Sequence, residues 1–233
     1  MEVPSDDVAR APRRGAVLGA VAGYAVVALL AAGVLAGFGP QLRLDHAVST
    51  ALYAGDDRSA FVDGLLHVLT TPGYTWFRVA VLAPVAVVLV LRRSWWTAAW
   101  VLTAVVLVGP LTTLLKESVG RVRPQFAGGG AQLDSLSYPS GHASGVATLV
   151  TVTLVLAWPR LAVAVRRVCL LLGIALVVLV GLTRMWLGVH YLTDVVGGWS
   201  LGVAWSLTVA LAFGALPGGR AALPARPPAP AVR

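Results

Sequence analysis

The sequence has a single cysteine and few charged residues for its length. Because Cys169 is the only cysteine among 233 residues, an intramolecular disulfide is excluded. Only 12% of the residues are charged, whereas 58% are hydrophobic and the mean hydropathy is +0.81. A soluble domain of this size carries about twice that share of charge. The composition therefore excludes an ordinary soluble protein and indicates an integral membrane protein.

Lysine and acidic residues are scarce as well. Lys116 is the only lysine, and 10 acidic residues stand against 18 basic ones, which gives a net charge of +8. The sequence has no obvious cluster of carboxylates of the kind that binds a metal. It also has no internal repeat that would suggest a transporter.

Long apolar segments fill most of the chain. Segments close to twenty residues are typical of membrane-spanning helices, and six are present: 16–38, 75–91, 95–115, 143–158, 161–182 and 195–216. We therefore predict an all-α fold, an integral membrane bundle of six transmembrane helices over residues 16–216. A cytoplasmic segment, 1–15, precedes the bundle, and a Pro-, Ala- and Gly-rich tail, 217–233, is predicted to be cytoplasmic and disordered. Residues 39–74 carry apolar side chains at helical spacing, which predicts short amphipathic helices at the membrane interface.

The positions of the basic residues predict the orientation of the bundle. With the N-terminus inside the cell, eleven of the eighteen basic residues lie on the cytoplasmic side: Arg10, Arg13, Arg14, Arg92, Arg93, Arg160, Arg166, Arg167, Arg220, Arg226 and Arg233. This bias favours both termini in the cytoplasm and explains the positive net charge better than nucleic-acid binding does. We expect a multi-pass protein of the plasma membrane that binds no nucleic acid. The oligomeric state is left open.

Three polar stretches stand at span boundaries on the predicted outer side. They are KESVGRVRP (116–124), YPSGHASG (138–145) and TRMWLGVHYLTD (183–194). Taken singly, their residues have ordinary explanations: Lys116 and Arg184 can extend their charged ends to the interface, and His142 can be a solvated residue at a helix start. These explanations do not account for three cations and two histidines at the ends of neighbouring spans. We therefore expect one shared site.

A bound phosphate group would explain the three stretches together. Lys116, Arg123 and Arg184 supply cationic donors, and a guanidinium matches the geometry of phosphate oxygens. Ser140 and Gly141 stand where the fourth span begins, so the free N–H groups of that helix start would point at a bound anion. These five residues form the predicted phosphate-binding set.

Two histidines and an aspartate predict the chemistry. His190 and Asp194 are spaced i, i+4, which would place them on one helical face. Asp194 would then accept the proton on one imidazole nitrogen and leave the other nitrogen free to attack phosphorus. His142 is separate and is suited to protonating a leaving oxygen. The predicted catalytic residues are therefore His190, His142 and Asp194.

The order and spacing of these residues resemble the three-part signature of the type 2 phosphatidic acid phosphatase superfamily. The matching parts are Lys116 followed after six residues by Arg123-Pro124, then Pro139-Ser140-Gly141-His142, then Arg184, His190 and Asp194. Thr183 stands where serine is frequent in the family, and it keeps the hydroxyl. The resemblance runs from about residue 70 to residue 199, and the layout of six spans extends it over most of the chain.

This resemblance implies a reaction that needs neither a metal nor another cofactor and that passes through a phosphohistidine intermediate. The lack of an obvious carboxylate cluster agrees with this expectation. His190 would attack phosphorus while Asp194 orients it, and His142 would protonate the leaving group and then help to activate water. The five phosphate-binding residues would hold the phosphoryl oxygens in the transition state. Arg121 lies outside the signature, and we expect it at the solvated surface, with contact to a second phosphate as the alternative. The loop 125–138 contains three consecutive glycines and is a candidate lid.

A site at the outer membrane surface suits a lipid substrate, because the headgroup would reach the site while the chains stay in the bilayer. We expect hydrolysis of a lipid phosphate or pyrophosphate. Phosphatidic acid and undecaprenyl pyrophosphate are the leading candidates, and phosphatidylglycerophosphate stands behind them. The alternatives are a phosphotransferase that uses the same intermediate and a non-catalytic protein that binds or translocates lipid phosphates.

Overall fold

The structure, a computed structural model of the chain, describes residues 6–126 and 133–224. These residues form eight α-helices and no strand: α1 (Asp6–Leu35), α2 (Gly39–Leu52), α3 (Ala60–Thr70), α4 (Thr75–Leu91), α5 (Trp95–Val119), α6 (Gly141–Ala157), α7 (Val163–Trp186) and α8 (Leu192–Phe213). Short 3₁₀ turns follow α3 and α6, at Thr71–Gly73 and Trp158–Arg160. The prediction of an all-α fold is confirmed.

Five of the helices are long and apolar enough to cross a membrane: α1 from Ala11, α5, α6 with the turn that follows it, α7 and α8. The second predicted span is different, because α4 has only 17 residues. It becomes long enough only together with α3, and the two helices are bent by 45° at the turn between them. The short helices predicted within 39–74 are present as α2 and α3. One of them, α3, is therefore joined to the second span.

Helix α8 lies at the centre of the bundle, where it packs against α1, α5 and α6. Glycine makes its contact with α6 close, since a Cβ on Gly198 would lie 2.6 Å from the carbonyl oxygen of Ser140. Small residues at helix contacts are favoured in membranes because close packing, not the hydrophobic effect, holds the helices together there. This contact keeps the beginning of α8 beside the beginning of α6, where the two signature histidines lie.

The outward face of α7 is apolar. Leu171 and Leu172, in the middle of this helix, are 66% and 65% exposed. Such a surface is suited to the hydrocarbon core of a bilayer, so the bundle presents to lipid the side chains that a soluble protein would bury.

One end of the bundle collects the three polar stretches. Helices α5 and α7 end there, and α6 and α8 begin there. The turn between α3 and α4 packs against α6 at the same end. Within the three polar stretches alone, the fold therefore brings together residues that are separated by up to 78 positions, between Lys116 and Asp194.

The chain stays folded for several residues beyond α8. Ala221 is buried, its N–H donates to the carbonyl oxygen of Gly214 at 2.9 Å, and its own carbonyl accepts from Thr97 Oγ1 at 2.8 Å. Residues 217–224 of the predicted disordered tail therefore pack against the bundle. The remainder of that tail, 225–233, lies outside the described residues, as do 1–5 of the predicted N-terminal segment and 127–132 of the candidate lid.

Candidate active site

His190 lies in the short connection between α7 and α8, and Asp194 lies in the first turn of α8. Both side chains are buried, and His190 Nδ1 is 3.4 Å from Asp194 Oδ2. The predicted pairing is present, but the prediction that the two residues share a helical face is wrong. His190 precedes the helix because the Asp194 carboxylate caps the start of α8, where it accepts the N–H of Tyr191 at 2.9 Å.

Hydrogen bonding decides which nitrogen of His190 carries the proton. Arg123 Nη1 is 3.2 Å from His190 Nε2, and a guanidinium can only donate. Nε2 must therefore present its lone pair, so Nδ1 carries the proton and donates it toward Asp194. Nε2 is therefore the nitrogen of His190 that carries the lone pair.

Burial keeps His190 uncharged. It lowers the pKa of His190 to about 3, and the hydrogen bond to Asp194 opposes this effect only in part. The neutral imidazole, which is the nucleophilic form, is therefore populated over the whole physiological pH range.

Arg121 is buried and is not solvated as predicted. Its Nη2 is 2.6 Å from Asp45 Oδ2 and its Nη1 is 2.7 Å from Asp194 Oδ1, and its guanidinium lies 4.1 Å from the centroid of the Tyr191 ring. Burial alone would lower the pKa of Arg121, but Asp194 and Asp45 together raise it. The predicted surface position is wrong because two carboxylates neutralise this charge inside the bundle, a contribution that the local sequence does not reveal.

Asp45 connects this network to α2. Its carboxylate accepts the N–H of Thr193 at 2.9 Å and the hydroxyl of Thr193 at 2.6 Å. Ser137 Oγ adds a hydrogen bond to Asp194 Oδ2. Asp194 is thus held by Arg121, by Ser137 and by the backbone at the start of α8, which fixes the carboxylate that faces His190.

None of the ion pairs found among residues 6–126 and 133–224 includes the predicted cations Lys116, Arg123 or Arg184. Arg123 Nη1 donates to the carbonyl oxygen of Val189 at 2.6 Å, which holds its guanidinium next to His190. The three side chains therefore lie at the end of the bundle with no carboxylate in direct contact. An anion would be attracted to this end.

Arg184 and Lys116 are held by neutral groups only. Arg184 Nη1 donates to Thr70 Oγ1 at 3.2 Å, while its Nε is buried with no hydrogen-bond partner. Lys116 Nζ donates to the carbonyl oxygens of Leu136 and Ser137. A buried guanidinium N–H without an acceptor is costly, and a phosphate oxygen would supply that acceptor.

His142 lies in the first turn of α6 and packs against the turn between α3 and α4. The ring of Tyr74 meets it edge-on, with 4.5 Å between the ring centroids. Glycine at position 73 is needed here, because a Cβ on Gly73 would lie 2.7 Å from the Cβ of His142. His142 Nε2 is buried and has no hydrogen-bond partner. This nitrogen is therefore available to exchange a proton with a ligand.

Ser140 caps α6, as predicted for the start of the fourth span. Its Oγ accepts the N–H of Ala143 at 3.5 Å, and its own N–H donates to the carbonyl oxygen of Asp194 at 2.9 Å. Ser140 therefore fixes the helix start and ties it to α8. The N–H groups of Gly141 and His142 are left in the first turn, where intrahelical acceptors do not exist, and they are suited to a bound anion.

A cavity of about 230 Å³ opens beside His142. Its walls come from the α3–α4 turn, α4, α5 and α6, and they include Arg78, Lys116, Gly141 and His142. His190 is not among the lining residues, so this cavity lies on the His142 side of the site. A larger apolar cavity of about 950 Å³ lies among α1, α6, α7 and α8, away from all the signature residues.

Within residues 6–126 and 133–224, no group of three or more His, Cys, Asp or Glu side chains is arranged to hold a metal ion. Metal independence stays a prediction, since it concerns the reaction.

Sequence reasoning missed three members of the site: Asp45, Arg121 and Ser137. Asp45 could not have been found, because it lies 148 residues from its partner Thr193 in the sequence. The pattern of its own segment predicts only a helix at the membrane interface. Arg121 gave a weak signal, since a third cation beside Lys116 and Arg123 is unusual in so apolar a chain. Ser137 directly precedes the second stretch but matches no part of the signature.

Comparisons with known proteins agree with these observations. The family model described as the PAP2 superfamily matches residues 94–216. The chain is 43% identical over 96 residues to "Phosphatidylglycerophosphatase B" of Bacillus subtilis (strain 168). This alignment covers 40% of this chain and 46% of that protein. The chain is also 33% identical over 127 residues to "Lipid A 1-phosphatase" of Rhizobium johnstonii. This second alignment covers 51% of this chain and 48% of that protein. The chain thus spans about half the length of the curated relatives it matches.

A solved structure is similar over a longer range. It is the crystal structure described as the first transmembrane PAP2 type phosphatidylglycerolphosphate phosphatase from Bacillus subtilis. The TM-score is 0.69 at 26% identity, and the alignment covers 82% of this chain and 93% of that one. The aligned part of the chain is therefore longer than the segment that the family model matches.

Proposed function

Because the chain belongs to the PAP2 superfamily, we propose that it hydrolyses a phosphate or pyrophosphate monoester on a membrane lipid, without a metal and through a phosphohistidine. The observation that carries this proposal is the difference between the two histidines. His190 has its Nδ1 directed to Asp194 and its Nε2 beside Arg123, whereas His142 has a buried Nε2 with no partner. One imidazole is oriented for attack, and the other is free to exchange a proton.

The reaction then proceeds in two halves. His190 Nε2 attacks phosphorus, and the N–P bond forms while the bond from phosphorus to the leaving oxygen breaks. His142 gives a proton to that oxygen. In the second half a water attacks the phosphohistidine, His142 takes a proton from the water, and inorganic phosphate is released with His190 restored.

The three cations that have no direct ion pair stabilise the charge that develops on the phosphoryl oxygens. Arg123 and Arg184 contribute guanidinium donors, and Lys116 contributes an ammonium. The free N–H groups of Gly141 and His142, at the start of α6 that Ser140 caps, add neutral donors. Preorganised donors of this kind supply a large share of the catalysis in reactions that pass through a charged transition state.

The names of the similar proteins direct the choice of substrates. They are a phosphatidylglycerophosphatase, a lipid A 1-phosphatase and a phosphatidylglycerolphosphate phosphatase. Phosphatidylglycerophosphate therefore joins phosphatidic acid and undecaprenyl pyrophosphate as a substrate to be tested first. All three carry a terminal phosphoryl group and hydrocarbon chains that stay in the bilayer.

The test is phosphate release by the purified chain in detergent from these three lipids, with EDTA present throughout. We expect turnover of at least one lipid, and we expect that added divalent metal is not required. Complete dependence on a metal would contradict the mechanism. If none of the lipids is hydrolysed although they bind, the non-catalytic alternative is correct. If the phosphoryl group is transferred to an added alcohol and no inorganic phosphate is released, the protein is a phosphotransferase.

We propose that the site faces the outside of the plasma membrane and that both termini lie in the cytoplasm. The distribution of basic residues supports this orientation. In a Cys169→Ala background, Leu133→Cys at the site end should react with a membrane-impermeant thiol reagent in intact cells. Arg92→Cys, which is exposed at the other end, should react only after the cells are opened. Reaction of Arg92→Cys in intact cells would contradict the orientation.

A further inference from the structure

Arg78 is a buried arginine that the proposed reaction does not use. It lies in α4 and is 2% exposed. Its Nε donates to the carbonyl oxygen of Val105 at 3.2 Å, and its Nη2 donates to Thr75 Oγ1 at 3.4 Å. None of the ion pairs within the described residues includes it. A buried guanidinium that has only neutral partners is destabilising, and an anion beside it would remove much of that cost.

Helix α6 is shaped to admit this guanidinium. A Cβ on Gly145 would lie too close to Arg78 Nη1 for the two atoms to coexist without a shift. Gly145 lies three residues after His142, so the two residues are on the same side of α6. The glycine that ends the YPSGHASG stretch therefore lets Arg78 reach the neighbourhood of His142.

The space beside Arg78 is large enough for a ligand group. The cavity of about 230 Å³ is lined by Arg78, Lys116 and His142, together with the hydroxyl side chains Thr75, Thr112, Thr113 and Ser144. A single water needs only about 10–15 Å³ on this measure. The lining combines two cations with several hydroxyl groups, which is the donor set that a phosphate group requires.

This cavity lies where the leaving group of the reaction would be. It shares His142 and Lys116 with the proposed reaction site, but the nucleophile His190 does not line it. A group in the cavity is therefore next to the proton donor and not next to the nucleophile. In the proposed reaction, that is the position of the departing part of the substrate.

We propose that the Arg78 cavity is a subsite for a second phosphate, carried by the leaving group of the substrate. That phosphate is either the inner one of a lipid diphosphate or the phosphodiester of a phospholipid headgroup. The inference rests on the proposed function, because it assigns the leaving side of that reaction. His142 protonates the oxygen that leaves phosphorus, and the leaving group departs with its own phosphate bound to Arg78 and Lys116. Arg78 then determines specificity, since a simple lipid monophosphate has nothing to bind there.

The test compares substrates that carry this second phosphate with substrates that lack it. One pair is a prenyl diphosphate and the monophosphate of the same prenyl chain; the other pair is phosphatidylglycerophosphate and phosphatidic acid with the same acyl chains. For each pair, Arg78→Gln should lower the ratio of kcat/KM for the two-phosphate lipid to that for the one-phosphate lipid by about tenfold or more, as is usual for a lost hydrogen bond to a charged group. Arg78→Lys keeps the charge and should restore most of the ratio.

Arg220→Gln is the matched control. It removes the same charge at the opposite end of the bundle, where Arg220 is exposed and lies over Trp96, and it should leave the ratio unchanged. Equal losses on both members of a pair in Arg78→Gln would overturn the subsite and leave the proposed function standing. If the wild type hydrolyses none of these lipids, both the proposed function and the subsite are overturned.

A measurement on the wild type keeps the inference testable if Arg78→Gln does not fold. Methylenebisphosphonate carries two phosphonates and cannot be hydrolysed, whereas methylphosphonate carries one. The wild type should be inhibited by the bisphosphonate at a concentration about tenfold lower or more, because a second set of charge-assisted hydrogen bonds is formed. Equal inhibition by the two compounds would overturn the subsite.

Discussion

Replacing His190 by alanine is expected to abolish both turnover and any covalent phosphoenzyme. The reason is that Nε2 of His190 is the nitrogen that the surrounding hydrogen bonds leave with a lone pair, since Nδ1 is directed to Asp194 and Arg123 can only donate. Loss of a nucleophile lowers kcat by on the order of 10⁴-fold or more. The measurement is kcat with a lipid substrate, together with acid-quenched protein after brief exposure to a ³²P-labelled substrate.

His67→Ala is the control for this substitution. The side chain of His67 is 56% exposed on α3 and lies 3.5 Å from Asp63, so its removal should leave turnover and phosphoenzyme as in the wild type. If labelled phosphoprotein persisted in His190→Ala and disappeared in His142→Ala, the roles of the two histidines would have to be exchanged.

Replacing His142 by alanine is expected to lower the rate by roughly 10²–10⁴-fold when the leaving group is an alcohol, which is the usual range for a lost general acid. The phosphoenzyme should still form, although more slowly, because His190 and Asp194 are intact. The loss should shrink to about tenfold or less with p-nitrophenyl phosphate, since p-nitrophenolate departs without needing a proton. The measurement is therefore kcat/KM of wild type and variant on both kinds of substrate.

The dependence on the leaving group separates acid catalysis from a structural role of His142. His142 fills the space between Tyr74 and the Gly73 turn, so a variant with a disturbed helix start would lose activity on both substrates to the same extent. Equal losses would therefore contradict the role of His142 as the proton donor. His142→Gln fills much of the same space without supplying an acid, and it should behave as His142→Ala does.

The residues of the signature could be predicted from sequence, because their positions follow from short-range patterns. Each predicted site residue stands at the end of a long apolar segment, and a bundle of such segments brings their ends together at two surfaces. The error about His190 and Asp194 has a local cause. The spacing i, i+4 suggests one helical face, but a carboxylate at the third position of a helix can cap the helix and leave the preceding residues outside it.

The residues that support the site could not be predicted in this way. Asp45, Arg121 and Arg78 are charged groups whose surroundings are set by helices distant in sequence. A charged residue near a span end reads as solvated, because solvation is the usual state of such a residue. The partners of Arg121 are 76 residues before it and 73 residues after it. Only the packing of α2 and α8 at the same end shows that this charge is buried and neutralised.

The participation of Asp45 limits what can be exchanged between members of the family. The segment that the family model matches, residues 94–216, contains both histidines and all the cations of the signature, yet it does not contain the carboxylate of Asp45 or the Gly73 turn that receives His142. A chimera that grafts this segment onto the leading helices of another member would remove one of the two carboxylates that neutralise Arg121. It would also remove the Gly73 turn and the Tyr74 ring that pack against His142. The signature is thus a recognisable part of the site but not a transplantable module: the donor of the leading helices must bring an acid to the position of Asp45 and a glycine to the position of Gly73.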